Sequence, residues 1–275
     1  MVGQSCHGPH RGISLGRTIP LVTSPLAILD LMMARLELQD VTVTYRLYDA
    51  EGRSFTRSLL KGAGGSGAMT VSALDSMSLS IEAGSRIAVL GSNSSGKTTL
   101  LRVMAGLLPP KSGTILRDGK PGAVFGMGFG VDPEASLGDL ALAQGLLMGL
   151  TLAEASAKVR HILEFSGVSD HGMSKARITP PGILARLGIA SALCLDADII
   201  LLDEVLELVD PVFHQRVLDE MEQRLRRGAI LIVVDRSRDL LSRFCSEALL
   251  LRDGRIAMRA PLAEAFHNSA VSQTF

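Results

Sequence analysis

Eight consecutive residues have the types and spacing of a loop that binds phosphate. The loop reads Gly91-Ser-Asn-Ser-Ser-Gly96-Lys97-Thr98, which fits the pattern Gly-x-x-x-x-Gly-Lys-Ser/Thr. Flexible glycines let successive backbone N–H groups wrap the phosphates of a nucleotide, while the lysine adds charge near the outer phosphates and the threonine hydroxyl can ligate Mg²⁺. We therefore expect nucleotide contacts from Gly91, Ser92, Asn93, Ser94, Ser95, Gly96, Lys97, Thr98 and Thr99.

Two adjacent carboxylates, Asp203 and Glu204, follow an apolar run at residues 199–202. Ligands of open α/β sheets bind at the carboxyl ends of buried strands. Asp203, with Thr98, would hold Mg²⁺, while Glu204, with Lys97, would be catalytic by orienting or deprotonating the attacking water. An Asp-Glu pair alone is more typical of a solvated turn or a helix cap, but its combination with a phosphate loop favours the catalytic interpretation.

The strand pattern around these residues predicts an α/β domain with a mainly parallel sheet. Residues 35–44 alternate between apolar and polar, which indicates a strand with one buried face. The continuous apolar runs 199–202 and 230–234 are typical of strands buried on both faces. Two more strands are expected at 73–81 and 86–90.

The helix pattern places an all-helical insertion within this domain. Residues 98–108 have helical spacing and stop at Pro109, which cannot continue a helix. An inserted helical subdomain is expected at about residues 134–194, where Thr151 begins a capping box. Asp210 is expected to cap a later helix. The Asp253-Gly254 pair suits a type I′ hairpin turn, and a short helix should close the chain.

The domain is expected to span residues 35–275. Residues 1–34 contain basic residues before an apolar stretch, but Pro20, Pro25 and Asp30 interrupt any signal sequence, so we expect a flexible N-terminal extension. Residues 49–69 are rich in glycine, serine and charge, and are expected to form a loop or insertion.

Composition limits the partners. The 28 basic residues balance 28 acidic residues, so no overall field attracts nucleic acid, and we expect no nucleic-acid partner. No apolar run reaches the roughly 18 residues of a membrane span, so membrane association should go through another protein. We expect inert thiols in a reducing compartment at Cys6, Cys194 and Cys245. Surface positions are expected for His7, His10, His161, His171, His214 and His267.

Together these residues resemble the ABC ATPase family from about Arg35 onward. The resemblance implies a P-loop NTPase (RecA-like) core, an antiparallel β subdomain and the inserted helical subdomain, with ATP and Mg²⁺ as ligands. It places Tyr45 where the family has an aromatic ring that stacks on adenine, although a core tyrosine at a strand end is the alternative. It matches Asp210 to the D-loop aspartate that faces a partner subunit.

Within the family, the sequence most resembles the ATPases that export capsular polysaccharide, O-antigen or teichoic acid. The resemblance lies in Tyr45-Arg-Leu-Tyr48 before an insertion, Gly126-Met-Gly-Phe129 in place of the usual Q-loop region, Ser136-Leu-Gly-Asp139-Leu, and Asp203-Glu-Val-Leu206.

Two loops depart from the family pattern. The signature loop, expected as Ser-x-Gly before a helix, aligns with Thr179-Pro180-Pro181-Gly182 and lacks its serine. The switch histidine expected after the strand at 230–234 is replaced by Arg236, with Asp235 beside it. From these departures we expect slow intrinsic hydrolysis of ATP.

The resemblance implies a motor subunit that hydrolyses ATP at the cytoplasmic face of the cytoplasmic membrane, as a peripheral protein. Its partners would be an integral-membrane permease and a second nucleotide-binding subunit, of the same or another chain. An alternative is a regulatory subunit that binds ATP, hydrolyses it poorly and pairs with a complete ATPase. A soluble P-loop kinase is disfavoured, because no site for a second substrate is visible.

Overall fold

The computed structural model describes residues 34–47, 69–125 and 132–267. Most of the expected N-terminal extension lies outside these ranges, as do nearly all of the 49–69 loop and the whole segment Gly126-Met-Gly-Phe129. The strands are β1 Arg35–Leu47, β2 Met69–Glu82, β3 Arg86–Leu90, β4 Ser112–Asp118, β5 Pro121–Phe125, β6 Ile199–Asp203, β7 Ile230–Val234, β8 Glu247–Arg252 and β9 Arg255–Pro261. The helices are α1 Lys97–Met104, α2 Leu137–Leu147, α3 Leu152–Ser166, α4 Pro181–Cys194, α5 Pro211–Arg226, α6 Arg238–Phe244 and α7 Leu262–His267.

The larger sheet has six strands in the order β5-β6-β7-β3-β8-β9. The first five run parallel, and β9 pairs antiparallel with β8. Every residue of β6 and β7 is buried, as their continuous apolar sequences predict. Because β3, β6 and β7 are neighbours, the residues that follow their carboxyl ends lie along one edge of the sheet.

The smaller sheet is antiparallel, with three strands in the order β2-β1-β4. The apolar positions that alternate along β1 (Leu36, Leu38, Val41 and Val43) are buried, which confirms the strand predicted from its period of two. The register shifts after Leu38, where Asp40 has a φ of 49°. The mainly parallel core and the separate antiparallel sheet confirm the predicted fold class.

Helices α2, α3 and α4 lie between β5 and β6 in the chain. Thr151 caps α3, because its side chain accepts from the amide of Glu154 and the Glu154 carboxylate accepts from the amide of Thr151, which confirms the capping box. Ser136 and Asp139 make the same arrangement at the start of α2, where the sequence had not indicated one.

Two features near α1 were predicted wrongly. The helix ends at Met104 rather than at residue 108, because Gly106 has a φ of 79° and the amide of Leu107 donates to the carbonyl oxygen of Arg102. β4 and β5 were not predicted. Most of β4 is exposed and carries no clear apolar face, and β5 is only five residues long and begins with a proline.

Other local predictions hold. Asp253 and Gly254 have φ angles of 51° and 73°, as a type I′ turn requires. Asp210 caps α5 by accepting from the amides of Val212 and Phe213. No helix among the described residues is long and apolar enough to cross a membrane.

Candidate functional site

The phosphate loop joins the end of β3 to the start of α1. Gly96 has a φ of 104°, and a Cβ atom at this position would lie 2.4 Å from the carbonyl oxygen of Ala73 on β2. A Cβ atom on Gly91 would lie 2.5 Å from the carbonyl oxygen of Leu251 on β8. Only glycine fits at these two positions, and the close contacts hold the loop against both sheets.

Lys97 folds back across the loop. Its Nζ donates to the carbonyl oxygens of Gly91 at 2.7 Å and Ser92 at 2.9 Å. Burial lowers the pKa of Lys97, against the opposing charges of Glu204 and Asp203. The ammonium thus sits half-buried next to two carboxylates, with backbone oxygens as the partners that an anion would have to displace.

Asp203 and Thr98 meet where β6 approaches α1. Asp203 is 6% exposed, and burial raises its pKa, as does the negative charge of Glu204. A hydrogen bond from the Thr98 side chain acts in the opposite direction, with smaller contributions from Arg102 and Lys97. The threonine hydroxyl and the carboxylate, both oxygen ligands of the type that Mg²⁺ prefers, are therefore adjacent.

Glu204 has a φ of 52°, a left-handed conformation that costs energy in a residue with a side chain. The conformation is held by its amide, which donates to the carbonyl oxygen of Val234 at 2.8 Å. The carboxylate is half-exposed, and its Oε1 accepts from Nε of Arg236 at 3.4 Å. The structure thus places Glu204 at the same sheet edge as Lys97 and Asp203.

Two cavities flank Lys97. The larger, of about 570 Å³, is lined by Tyr45, Asn93, Ser94, Gly96, Lys97, Thr98, Thr99, Arg102, Phe125, Asp203, Glu204 and Arg236, with residues of β2. The smaller, of about 200 Å³, is lined by Gly91, Ser92, Asn93, Lys97, Glu204, Asp235 and Arg236, with ends of β3 and β7. The structure brings nearly all the predicted site residues to one place. The site is concave and carries both positive and negative side chains.

Tyr45 and Ser95, both predicted to contact the nucleotide, differ in their access to the two cavities. Tyr45 is 38% exposed at the rim of the larger cavity, with its hydroxyl 3.4 Å from Oγ1 of Thr99. Ser95 is buried and lines neither cavity, and its Oγ has no hydrogen-bond partner among the described residues. The backbone amide of Ser95 donates to the carbonyl oxygen of Ser92 at 3.2 Å. Tyr45 is therefore placed to contact a ligand, whereas the side chain of Ser95 is not.

Comparison with known proteins identifies the family. The model of the ABC transporter family matches residues 74–207. An O-antigen export system ATP-binding protein of Yersinia enterocolitica, RfbE, is 31% identical over 231 residues, covering 82% of this chain and 97% of the relative. The chain belongs to the ABC transporter family. This membership confirms the resemblance inferred from the phosphate loop and the two carboxylates.

Other relatives of this ABC protein are longer. The O-antigen export protein RfbB of Myxococcus xanthus is 29% identical, and the match covers 82% of the chain but 53% of that protein. The teichoic acids export ATP-binding protein TagH of Bacillus anthracis is 25% identical, and the match covers 82% of this chain but 40% of TagH. These three relatives are ATP-binding proteins of O-antigen or teichoic acid export, as in the predicted branch. The chain spans about half the length of RfbB and TagH.

Solved structures show the same fold. A dimeric ATP-binding cassette in a post-hydrolysis state with ADP and Pi superposes with a TM-score of 0.64, at 19% identity, covering 82% of this chain and 98% of that one. Its similarity confirms the P-loop NTPase architecture of the ABC protein.

The signature loop of this ABC protein lies apart from the cavities beside Lys97. Thr179 uses its hydroxyl to donate to the carbonyl oxygen of Lys175 at 2.8 Å. Pro180 is exposed at the N-cap of α4 and offers neither an amide proton nor a hydroxyl. A Cβ atom on Gly182 would lie 2.7 Å from the carbonyl oxygen of Leu208, so the loop packs closely against the turn that precedes Asp210.

Asp210 joins this turn to α4. One carboxylate oxygen caps α5, and the other accepts from Arg186, whose guanidinium also lies over the ring of Phe213 at 5.6 Å. These hydrogen bonds lower the pKa of Asp210, that from the Phe213 amide most strongly. Helix capping is thus observed in this chain, and the role of Asp210 towards a partner subunit stays a prediction.

The burial of two cysteines and four histidines bears on the predictions of inert thiols and surface histidines. Cys194 and Cys245 are buried, and burial raises their pKa values to about 11 and about 12. His161, His171 and His267 are exposed, whereas His214 is half-buried, with Nε2 2.6 Å from the carbonyl oxygen of Leu206. The surface prediction for His214 was wrong, because α5 turns this residue towards the segment after Glu204. Cys6, His7 and His10 lie outside the described residues.

Arg102 is a site residue that the sequence interpretation missed. It lines the larger cavity, lies 5.8 Å from the centre of the Phe125 ring and lowers the pKa of Asp203 by its charge. The available signal was its spacing, because a residue four positions after Thr98 lies on the same face of α1. The basic character of the site is therefore greater than the phosphate loop alone predicts.

Proposed function

We propose that this chain is the ATP-hydrolysing motor subunit of an ABC exporter for a polysaccharide or a lipid-linked glycan. Its place would be the cytoplasmic face of the cytoplasmic membrane, bound to an integral-membrane permease and to a second nucleotide-binding subunit. The names of the relatives, which are O-antigen and teichoic acid exporters, support the substrate class.

The observation that carries the proposal is the convergence of Lys97, Thr98, Asp203 and Glu204 on one cavity of about 570 Å³. A nucleotide fits this site chemically, since the loop offers amides and an ammonium to phosphates while Tyr45 at the rim offers a ring to the base. Among the described residues, no three His, Cys, Asp or Glu side chains cluster as a metal site. Mg²⁺ would therefore be held by Thr98 and Asp203 together with phosphate oxygens.

In this proposal each side chain has a defined task. Lys97 exchanges the loop carbonyl oxygens for phosphate oxygens, which neutralises charge as ATP enters. Bound Mg²⁺ would supply further neutralisation of the phosphate charge. Glu204 orients the attacking water and accepts its proton. The strained backbone of Glu204, fixed by Val234, holds this carboxylate at the sheet edge that also carries Asp203.

An apolar groove supports the proposed membrane partner. The groove has a volume of about 450 Å³, lies between the end of β5 and helices α2 and α4, and has Leu107, Leu147 and Leu208 exposed at its margin. Exposed apolar patches of this kind commonly mark protein interfaces. The groove adjoins Phe125, which also lines the nucleotide cavity, so a subunit bound here would contact the same strand end as the nucleotide.

The regulatory alternative is favoured by two specific observations. Pro180 cannot donate a hydrogen bond from the signature loop, and Arg236 stands where a histidine is expected and pairs with Glu204. Against it, Lys97, Asp203 and Glu204 are all present and in place. In the alternative, the chain binds ATP and leaves most hydrolysis to an unlike partner.

The deciding experiment is to measure nucleotide turnover by the purified chain, alone and with co-purified partner subunits. Turnover that rises with a permease and depends on Glu204 of this chain supports the motor. Turnover that survives Glu204→Gln in the assembled complex supports the regulatory subunit. Absence of ATP binding at any protein concentration would contradict both.

A further inference from the structure

The turn between β8 and β9, Asp253-Gly254, supports the phosphate loop from a distant part of the chain. The amide of Gly254 donates to the carbonyl oxygen of Ser95 at 3.2 Å. Nearby, the carbonyl oxygen of Leu251 on β8 lies where a Cβ atom on Gly91 would clash. The β8–β9 hairpin therefore contacts the loop at its first residue and again near its middle.

The phosphate loop needs this support because its backbone is strained at Ser94, which has a φ of 66°. A residue with a side chain keeps a left-handed conformation only where the surrounding structure fixes it. The next residue, Ser95, offers no side-chain anchor, because its buried Oγ has no hydrogen-bond partner among the described residues. The hydrogen bond from Gly254 therefore fixes the backbone of Ser95 where its side chain does not.

Asp75 on β2 fixes the β8–β9 turn. Its amide donates to the carbonyl oxygen of Gly254 at 3.0 Å, and its Oδ2 accepts from Nε and Nη2 of Arg255 at 2.9 and 2.6 Å. A Cβ atom on Gly254 would lie 2.8 Å from the carbonyl oxygen of Ala73, so the turn is packed closely against β2. Asp75 thus binds both the residue that contacts Ser95 and the residue after it.

The Asp75–Arg255 ion pair is too exposed to add much to global stability. The side chain of Arg255 is 69% exposed and that of Asp75 is 36% exposed, and ion pairs of this kind contribute little. Two charge-assisted hydrogen bonds nevertheless fix the position of Arg255, and so of the turn. Neither residue lines a cavity beside Lys97, so neither is placed to contact the ligand itself.

We propose that Asp75 and Arg255 are positioning residues for the phosphate loop. They hold the Asp253-Gly254 turn, which holds Ser95, and thereby fix the loop backbone in the shape in which its amides meet phosphate oxygens. The inference rests on the proposed function, because that function places the phosphates of a nucleotide in this loop. Donors that are ordered before the ligand arrives bind it more tightly, because the cost of ordering them is not taken from the binding free energy. Loss of the pair should therefore weaken nucleotide binding although no ligand contact is removed.

The test is calorimetry on the full chain with a non-hydrolysable ATP analogue and Mg²⁺. Arg255→Gln and Asp75→Asn should each lower the affinity about 3- to 10-fold, the cost of ordering one or two loop residues on binding. Exchange of the two charges, Asp75→Arg with Arg255→Asp, should restore part of the affinity that either reversal alone loses. Hydrogen exchange of the loop amides in the nucleotide-free chain should be faster in Arg255→Gln than in the native chain.

The control is the second ion pair of the hairpin, in which Nε of Arg259 donates to Oε1 of Glu247 at 2.6 Å. Arg259 also donates to the carbonyl oxygen of Ser80 on β2 at 2.8 Å, but it lies away from the turn. Arg259→Gln should therefore lower the melting temperature at least as much as Arg255→Gln does, and leave the affinity at the native value.

Equal losses of affinity in Arg255→Gln and Arg259→Gln would overturn the positioning role, because they would reflect general loosening of the hairpin. Unchanged affinity in both Arg255→Gln and Asp75→Asn, in a chain that still needs Lys97 to bind nucleotide, would overturn the proposal and leave the proposed function standing. A native chain that binds no nucleotide would overturn both.

Discussion

Thr98 donates its side-chain hydrogen bond to Asp203, which joins the start of α1 to the end of β6. These two elements are far apart in the chain. In the sheet, however, only β7 separates β6 from β3, the strand that leads into α1. The hydrogen bond places a hydroxyl and a carboxylate side by side before any ligand enters.

Lys97→Ala should weaken ATP binding by about 10- to 100-fold, because a buried phosphate charge then loses one charged hydrogen bond. The matched control is Lys111→Ala, which removes an exposed lysine outside both cavities. Binding is measured by calorimetry with Mg²⁺ present. Equal ATP affinity in Lys97→Ala and the native chain would contradict the assignment of this loop to phosphate binding.

Glu204→Gln should retain ATP binding but slow hydrolysis by about 10² to 10⁴, since the amide cannot accept a proton from water. A closed dimer with ATP bound should accumulate, which size-exclusion chromatography detects. Glu264→Gln on α7 is the control for loss of a surface charge. A steady-state rate that stays at the native value in Glu204→Gln would exclude this residue from the catalytic role.

Asp235→Asn should stabilise the chain more at pH 7 than at pH 4. Burial raises the pKa of Asp235 above its ordinary value of 3.8, and the charges of Glu207 and Glu204 act in the same direction. The folded chain thus binds this proton more tightly than the unfolded chain, so stability is lost as the pH rises through the folded-state pKa. The neutral amide avoids that loss at pH 7.

The measurement for Asp235→Asn is the melting temperature of the variant minus that of the native chain, at both pH values. The difference should be larger at pH 7 by about 2–4 °C, which corresponds to roughly 1 kcal/mol in a chain of this size. Ser237→Ala removes the cap of α6 without removing a titrating group, and its difference should not depend on pH. A difference for Asp235→Asn that grows towards pH 4 would reverse the assigned sign.

The sequence predicts the parts of the site that depend on local pattern. The phosphate loop and the two carboxylates are read from consecutive residues, because each follows an apolar strand directly. The contacts between them are not local: Lys97 meets Glu204, and Arg236 meets Glu204, only because β3, β7 and β6 are neighbours in the sheet. No spacing along the chain specifies that order without the family resemblance.

The missed elements have a different cause. β4 is mostly exposed, so its residues do not show the alternation that marked β1. The end of α1 depends on Gly106, which adopts a left-handed conformation three residues before the proline that was expected to end the helix. For β4, pairing with β1 rather than local propensity determines the structure. For α1, the glycine is a local signal for a helix end that was passed over in favour of the proline.

Leu147→Glu should reduce the amount of membrane subunit that co-purifies with this chain, because it places a charge at the margin of the apolar groove, where the leucine is 71% exposed. ATP binding should be unchanged. Leu116→Glu, at an exposed leucine of β4 outside the groove, is the control. Chemical cross-links from the permease should map to α2 and its surroundings, and cross-links confined to residues 49–69 would contradict the proposed docking site.

Intrinsic hydrolysis by the isolated chain should be slow, because two groups expected at the outer phosphate, a signature serine and a switch histidine, are here Pro180 and Arg236. Loss of one preorganised donor costs about 10² to 10³ in rate. The two losses need not multiply, since groups that act on one phosphate are often non-additive.

The double substitution Pro180→Ser with Arg236→His should therefore raise turnover without greatly changing ATP affinity. Serine restores a hydroxyl and an amide proton at the N-cap of α4, and histidine removes the permanent cation that holds Glu204, while its imidazole can still donate to a phosphate oxygen. Turnover is measured by phosphate release, with Arg243→His as the control for a new histidine on α6. If the native chain already hydrolyses ATP at about 10 per second, an ordinary enzymatic rate, and the double variant is slower, the alignment of both loops with the family pattern is incorrect.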